Sequence, residues 1–337
     1  MREEQLLAYL RHRMPHVSDL RVSNIARIPG GASRETWSFD ARWREGDREV
    51  TRGFIVRRDP TASLLETERD LEFRLYSALQ NTGVPVPPVY WLETDGKWLE
   101  RPFFVMGRLP GQTDARTLVS SPEFAEIRPV VSRQKAEILA RIHNLDWREL
   151  GLDFLGVPPS PERCAEVEIE RWETVMRKDA LDPQPVLELA LSWLKRHQPV
   201  AQKICVVHAD YRTGNLLYDR ERGITGVLDW EMAHLGDPME DVAWVCLRSW
   251  RWAGDGRVGG LLDREEFYRL YEECSGLKVD RDAVKFYEVL GNLKLATIFL
   301  TGARSFCEAK TRDVLLALTA HINPHIEVEI LELIEGG

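Results

Sequence analysis

The stretch Val206-Val207-His208-Ala209-Asp210-Tyr211-Arg212-Thr213-Gly214-Asn215-Leu216-Leu217 decides how the chain is read. A short apolar run delivers His-x-Asp, an asparagine follows after four intervening residues, and an apolar pair closes the stretch. Further on, Val227-Leu228-Asp229-Trp230-Glu231 sets a second acid behind a second apolar run. Short apolar runs of this kind fit buried strands, so Asp210, Asn215 and Asp229 are expected together where strands end. A carboxylate able to take a proton, an amide oxygen and a second carboxylate form an oxygen-rich set suited to a hard cation and phosphate groups.

His-x-Asp-x-x-x-x-Asn resembles the kinase catalytic loop, and Asp229 sits where the kinase Asp-Phe-Gly acid would be. In wording the chain is closer still to the aminoglycoside phosphotransferase family, which shares the kinase-like fold. The resemblance implies an α+β, bilobal protein-kinase-like fold, with a small antiparallel β-rich lobe over residues 1–107 and a larger helical lobe over 108–337. It implies ATP (or GTP) with Mg²⁺ as cofactors and a small-molecule hydroxyl as phosphoryl acceptor. Asp210 would take or orient the hydroxyl proton, Arg212 would steady the γ-phosphate, and Asn215 and Asp229 would hold the metal. His208 is expected to brace the loop. Ala209, where most relatives have glycine, asks only for an ordinary α or β backbone on this reading. Asp-Trp-Glu in place of Asp-Phe-Gly removes the glycine of a flipping segment, so activity without a switch is expected.

Downstream, Gly236-Asp237-Pro238-Met239-Glu240-Asp241 reads as a helix start: Asp237 caps, Pro238 suits the first turn and Glu240 completes a capping box. Asp237 and Asp241 are assigned to structure. Helical periodicity continues over residues 264–274, 281–302 and 311–322, and a last amphipathic segment carries Ile326, Ile330 and Leu333. Upstream, Ile138, Leu139, Ile142 and Leu145 stripe a helix whose end carries His143, read as a core histidine. The segment 164–177 offers Glu166, Glu168, Glu170 and Glu173, which are either amine-recognising acids or a solvated helix face.

The first third has a different period. Leu6, Leu7 and Leu10 fit a short opening helix; then Trp37, Phe39, Ala41 and Trp43 alternate with polar residues, as in a half-buried strand. Residues 22–28 form its partner, joined through Pro29-Gly30-Gly31-Ala32-Ser33, a turn whose Ser33 hydroxyl could meet phosphate. A third strand, residues 53–58, ends in Arg57-Arg58, side chains that point to opposite faces. The resemblance places a phosphate-holding cation here, oriented by a helical glutamate. Arg57 with Glu72, on a helix over residues 64–79, is the favoured pair, with Arg58 and Glu68 as the competing partners. Asp95-Gly96 reads as a hairpin turn between strands 89–93 and 98–106. Pro102-Phe103-Phe104-Val105-Met106-Gly107-Arg108-Leu109 resembles the family hinge, which implies adenine contacts at Met106, Gly107 and Leu109.

Bulk properties set limits on the rest. The 337 residues are 44% hydrophobic and 29% charged, as in ordinary globular proteins. With 54 acids against 45 bases the net charge is −9, which argues against a nucleic-acid or anionic-membrane partner. Five scattered cysteines form no disulfide framework or zinc pattern, and the first residues lack a signal-peptide apolar core, so a cytoplasmic protein is expected. Sequence leaves the oligomeric state open. Two other classes remain in view: a nucleotide-binding pseudokinase or scaffold, and a protein kinase, which the absence of an Ala-Pro-Glu segment disfavours.

Overall fold

The computed structural model describes residues 1–28, 35–59, 70–252, 256–311 and 314–336. Ser33 with its Gly30-Gly31 turn, and Glu68, lie outside the described residues. The chain forms two compact units, Met1–Asn81 with Val86–Pro110, and Thr82–Pro85 with Gly111–Gly337. Sequence had placed the boundary after residue 107. The short excursion Thr82–Pro85 joins the second unit because its carbonyls are claimed there: Val227 N–H donates to Pro85 at 2.7 Å and Arg141 donates to Gly83.

The first unit is built on α1 (Glu3–Arg13), β1 (Ser18–Ile28), β2 (Glu35–Glu45), β3 (Arg48–Arg58), α2 (Leu71–Leu79), β4 (Val89–Glu93) and β5 (Phe103–Gly107). The strands form one sheet in the order β1-β2-β3-β5-β4, antiparallel at every pairing. The alternation read from sequence appears directly: Phe39, Ala41 and Trp43 of β2 are buried with Phe54 and Val56 of β3. Leu6, Tyr9 and Leu10 of α1 close this core, the Tyr9 ring meeting Phe103 edge-on at 5.0 Å. The opposite face carries Ile55, Arg57, Phe104 and Met106, paired across β3 and β5 as Ile55 with Met106 and Arg57 with Phe104. Phe73 of α2 packs edge-on against Phe104. The expected strand 98–106 starts later, at Phe103, because Pro102 has no N–H to give the ladder.

The second unit carries α3 (Ala115–Ser120), α4 (Arg128–His143), α5 (Cys164–Asp179), α6 (Pro185–Arg196), β6 (Cys205–Val207), β7 (Leu216–Asp219), β8 (Gly223–Val227), β9 (His234–Gly236), α7 (Pro238–Cys246), α8 (Arg264–Ser275), α9 (Arg281–Cys307), α10 (Val314–Thr319) and α11 (Asn323–Glu335). Helix α9 is buried almost all round its first five turns and packs against α5, α6, α7, α10 and α11. A helix apolar on every side belongs in a core; no described helix is long and apolar enough to cross a membrane. The segment expected as one helix over 311–322 is α10 followed by a 3-10 turn at Ala320–Ile322. Two antiparallel pairs, β6 with β9 and β7 with β8, emerge among the helices. Their ends carry the residues on which the sequence reading turns.

Candidate active site

Strand β6 is wholly buried and ends at His208, where the chain turns sharply. Ala209 has φ +65°, in the left-handed region, and Asp229 on the second loop has φ +66°. This corrects the expectation for Ala209: the glycine-like position is real, and a β-carbon is held there against a cost of about 1–2 kcal/mol. Asp241 of α7 holds the turn. Its Oδ2 accepts the His208 N–H at 2.7 Å and its Oδ1 accepts that of Ala209 at 2.9 Å. His143 Nε2 lies 3.2 Å from the same carboxylate, and its Nδ1 lies 2.6 Å from the Tyr271 hydroxyl. On the other side, the buried Lys294 ammonium donates to the Ala209 carbonyl at 2.6 Å.

The His208 ring fixes the next step. Its Nδ1 accepts the Asp210 N–H at 3.2 Å, so Nε2 carries the proton and donates to the Leu228 carbonyl at 3.0 Å. Burial pushes its pKa below the usual imidazole value, which keeps the ring neutral and in this tautomer. Leu228 N–H in turn donates to the Asn215 carbonyl at 2.9 Å. The residue before Asp229 is thus bonded to both loops. Trp230 behind it is fully buried, its indole N–H on the Val227 carbonyl at 3.1 Å and its ring against His208.

Asp210 itself is surrounded by donors. Asn215 Nδ2 donates to Oδ2 at 2.6 Å, Trp244 Nε1 of α7 donates to Oδ1 at 3.0 Å, and Arg212 Nε lies 3.2 Å from Oδ1. With its amide nitrogen spent on Asp210, Asn215 has Oδ1 to offer a cation. Asp229, half-buried beyond the Leu228 bridge, supplies a carboxylate. An amide oxygen and a carboxylate on adjoining loops fit Mg²⁺, which takes oxygen donors.

Sequence reasoning missed Trp244 and Lys294 and mistook Glu240. Asp237 does cap α7, accepting the Met239 N–H at 2.9 Å, and burial raises its pKa to about 6. Glu240 does not complete a capping box. It turns inward, 3.1 Å from His234 Nε2 and 3.4 Å from Lys294 Nζ, because two buried cations need a counter-charge. Glu168 of α5 lies 3.6 Å from His234 and accepts the Trp172 indole N–H at 3.2 Å. Against burial, Glu168 and Glu240 raise the His234 pKa. Both its ring nitrogens face oxygens, Nδ1 that of Met232 at 3.2 Å, so the Glu168–His234–Glu240 set is balanced by its own cations. Of the remaining α5 glutamates, Glu166 pairs with Arg163, Glu173 pairs with Lys195 at 2.6 Å and Arg177 at 2.7 Å, and Glu170 is exposed.

In the first unit Arg57 lies 3.4 Å from Glu72, a fully buried carboxylate on α2. Arg58 turns to the other face, where it pairs with Glu35 at 2.6 Å and donates to the Leu99 carbonyl at 3.0 Å. Arg58 and Arg101 together hold the Glu35 pKa down at about 2 against its burial. Met106 is buried and Leu109 half-buried. The Gly107 N–H is taken by the Pro88 carbonyl at 2.7 Å, so it is not free to donate to a base.

A family model described as the phosphotransferase enzyme family matches residues 25–277, most of the chain. The chain belongs to that family. Among curated relatives of this phosphotransferase-family chain, acyl-CoA dehydrogenase family member 10 of Mus musculus is 29% identical over 78% of this chain and 26% of its own length. The probable acyl-CoA dehydrogenase IBR3 of Arabidopsis thaliana is 27% identical over 83% of this chain and 36% of its own. The chain therefore spans about a quarter to a third of these relatives. Viomycin phosphotransferase of Streptomyces vinaceus is 30% identical over 43% of this chain and 49% of its own. Among solved structures, a provisionally assigned aminoglycoside phosphotransferase from Ralstonia eutropha superposes with a TM-score of 0.72 at 24% identity, covering 99% of this chain and 98% of that one. An aminoglycoside phosphotransferase solved with ADP and hygromycin B gives 0.59 at 19% identity, covering 98% of each chain. At these identities the likeness establishes the kinase-like fold.

Proposed function

We propose that this family member is a small-molecule kinase that moves the γ-phosphoryl group of ATP to an alcohol. The observation that carries the reading is the Asp210 carboxylate, fixed by Asn215, Trp244 and Arg212 on a loop whose backbone Asp241 and Lys294 clamp from two sides. Positioning of this kind is what a loose phosphoryl-transfer transition state asks of a protein. The acceptor hydroxyl oxygen attacks the γ-phosphorus, the bond to the β–γ bridging oxygen breaks, ADP departs, and the hydroxyl proton passes to Asp210. Arg212 meets the charge on the transferring group. Asn215 and Asp229 would hold Mg²⁺, which when bound neutralises phosphate charge.

The first unit is the nucleotide-binding part in this reading and the second the catalytic and acceptor-binding part. Arg57, steadied by Glu72, would hold the α- and β-phosphates, Ser33 would cover them, and Met106, Leu109 and the carbonyl of Gly107, whose N–H Pro88 takes, would receive the base. Because hinge recognition uses backbone groups, GTP stands beside ATP as donor. The acceptor class lies between an aminoglycoside-like amino sugar and a hydroxyacyl-CoA-like alcohol, matching the two kinds of named relative. The net charge of −9 fits an enzyme without nucleic-acid or anionic-membrane partners. Incubation with γ-labelled ATP or GTP, Mg²⁺ and an alcohol panel tests the reading. Labelled product that disappears in Asp210→Asn is expected; nucleotide binding without transfer to any alcohol or to water makes the chain a pseudokinase.

A further inference from the structure

The surroundings of Asp210 in the second unit speak to what kind of alcohol arrives there. Three tryptophans form a stair leading away from this acid. Trp244, 2% exposed, donates to the carboxylate. Trp250 follows, its ring centroid 5.7 Å from that of Trp244, and Trp252 stands a further 6.3 Å on, 37% exposed. These spacings are those of interacting aromatic rings, so the stair is one chain of ring contacts from the Asp210 partner Trp244 to the exposed Trp252. The Arg212 guanidinium lies 5.1 Å from the Trp250 centroid and the Lys294 ammonium 4.5 Å from that of Trp244. The Trp250 indole N–H is buried and meets no acceptor among the described residues.

Charge on this side also argues against a polycation. Amine recognition needs carboxylates with capacity to spare. Glu168 and Glu240 are committed to His234, Trp172 and Lys294. Glu166 and Glu173 serve arginine and lysine neighbours. Glu329 and Glu332 of α11 share Arg248, at 3.4 and 3.5 Å. Asp179 accepts from Thr301 at 2.5 Å and faces Arg304 at 3.8 Å. The charge that stands over the aromatic stair is the Arg212 guanidinium, paired with Asp210 at 3.2 Å.

We propose that Trp250 and Trp252, with Arg212, form the acceptor subsite, and that the acceptor is a neutral or anionic alcohol with a flat or apolar body rather than a polyamine sugar. The proposal rests on the kinase reading and narrows it. A flat apolar group stacks on the two indoles, and an anionic substituent gains the Arg212 charge, while an ammonium group there meets Arg212 with like charge.

The test separates subsite from chemistry by reading binding alone. Equilibrium dialysis and quenching of tryptophan fluorescence, without nucleotide, would compare 4-(hydroxymethyl)benzoate and 3-hydroxydecanoate with kanamycin and hygromycin B. The two acids are expected to bind at least about tenfold more tightly than either amino sugar. Trp252→Ala, at an exposed position, should keep the melting temperature and weaken acid binding by about tenfold, the size of one lost aromatic contact. Trp250→Phe, which keeps a ring, should retain most of it. Tighter binding of an amino sugar, or acid binding indifferent to Trp252→Ala, overturns the proposal. If the acids bind through Trp252 yet no phosphoryl transfer is found, the subsite stands and the kinase reading falls.

Discussion

Lys294 Nζ lies 2.6 Å from the carbonyl oxygen of Ala209, a residue held at φ +65° directly before Asp210. The ammonium comes from the middle of the buried helix α9 and also faces Glu240 at 3.4 Å. It therefore ties the loop's strained backbone to the helical core. Lys294→Met removes the donor and leaves Glu240 with His234 as its remaining cation. Breaking a buried pair from one side costs about 3–5 kcal/mol. Chemical denaturation should show that loss, and turnover at a temperature where the variant is folded should fall more than nucleotide affinity. An unchanged unfolding midpoint would mean that Lys294 is not a clamp.

Ala209→Gly should act in the opposite direction. The native φ suits glycine, so removing the β-carbon removes the left-handed strain. Relief of left-handed strain, less the extra chain entropy of glycine, leaves a gain of roughly 0.5–1 kcal/mol. Urea denaturation of the two proteins measures it; a loss of stability would mean that burial of the β-carbon outweighs the strain.

Much of this was readable beforehand, and the reasons for the rest are physical. Alternation in β2 and the apolar run of β6 reported their burial because strand burial has a period that sequence displays. The Asp237 cap was local, and so was visible. Trp244 and Lys294 were not, because helical periodicity says which face is buried and not which atom from another element waits there. Lys294 stands in a largely apolar stretch of α9, and its partner is 85 residues away in the chain. The α5 glutamates looked alike in sequence; burial of Glu168 beside His234 sets it apart from Glu173, which remains a surface acid. Ala209 showed only its identity, and the φ it adopts follows from Asp241 fixing two consecutive N–H groups.

Asp210→Asn tests the chemistry. Asparagine keeps an oxygen for the Trp244 or Asn215 donor but cannot take a proton. A loss of about 10²–10⁴ in turnover is expected, with ATP affinity and melting temperature little changed. Transfer at the wild-type rate would remove Asp210 from the mechanism.

The two neighbouring arginines of β3 should separate in effect. Arg57 faces Glu72 and Arg58 faces Glu35 on the other side of the sheet. Arg57→Ala should weaken binding of a fluorescent ATP analogue by about tenfold or more, as expected for a lost charge-assisted phosphate contact. Arg57→Lys, which keeps the charge, should recover part of that. Arg58→Ala should chiefly lower stability, by leaving Glu35 and the Leu99 carbonyl short of a donor. The reverse pattern would place Arg58 at the phosphates.

Lys135 on α4 provides a pH test that does not depend on the reaction. Its ammonium is fully buried, donates to Thr213 Oγ1 at 3.0 Å, and sits beneath Gly259, whose carbonyl the Thr213 hydroxyl reaches at 2.9 Å. Burial, helped by the nearby Arg212 charge, pulls its pKa from the usual 10.5 down to about 7. Between those two values the unfolded chain binds the proton and the folded chain does not, so unfolding takes up a proton. Stability from this group must therefore rise as pH goes from about 7 towards 10. Below about pH 7 both states are protonated and the group gives no slope. Urea midpoints at pH 7, 8 and 9 for the native protein and Lys135→Met isolate the effect from other titrations. The native protein should gain stability relative to the variant across that series; parallel curves would show that this amine keeps its proton inside the fold.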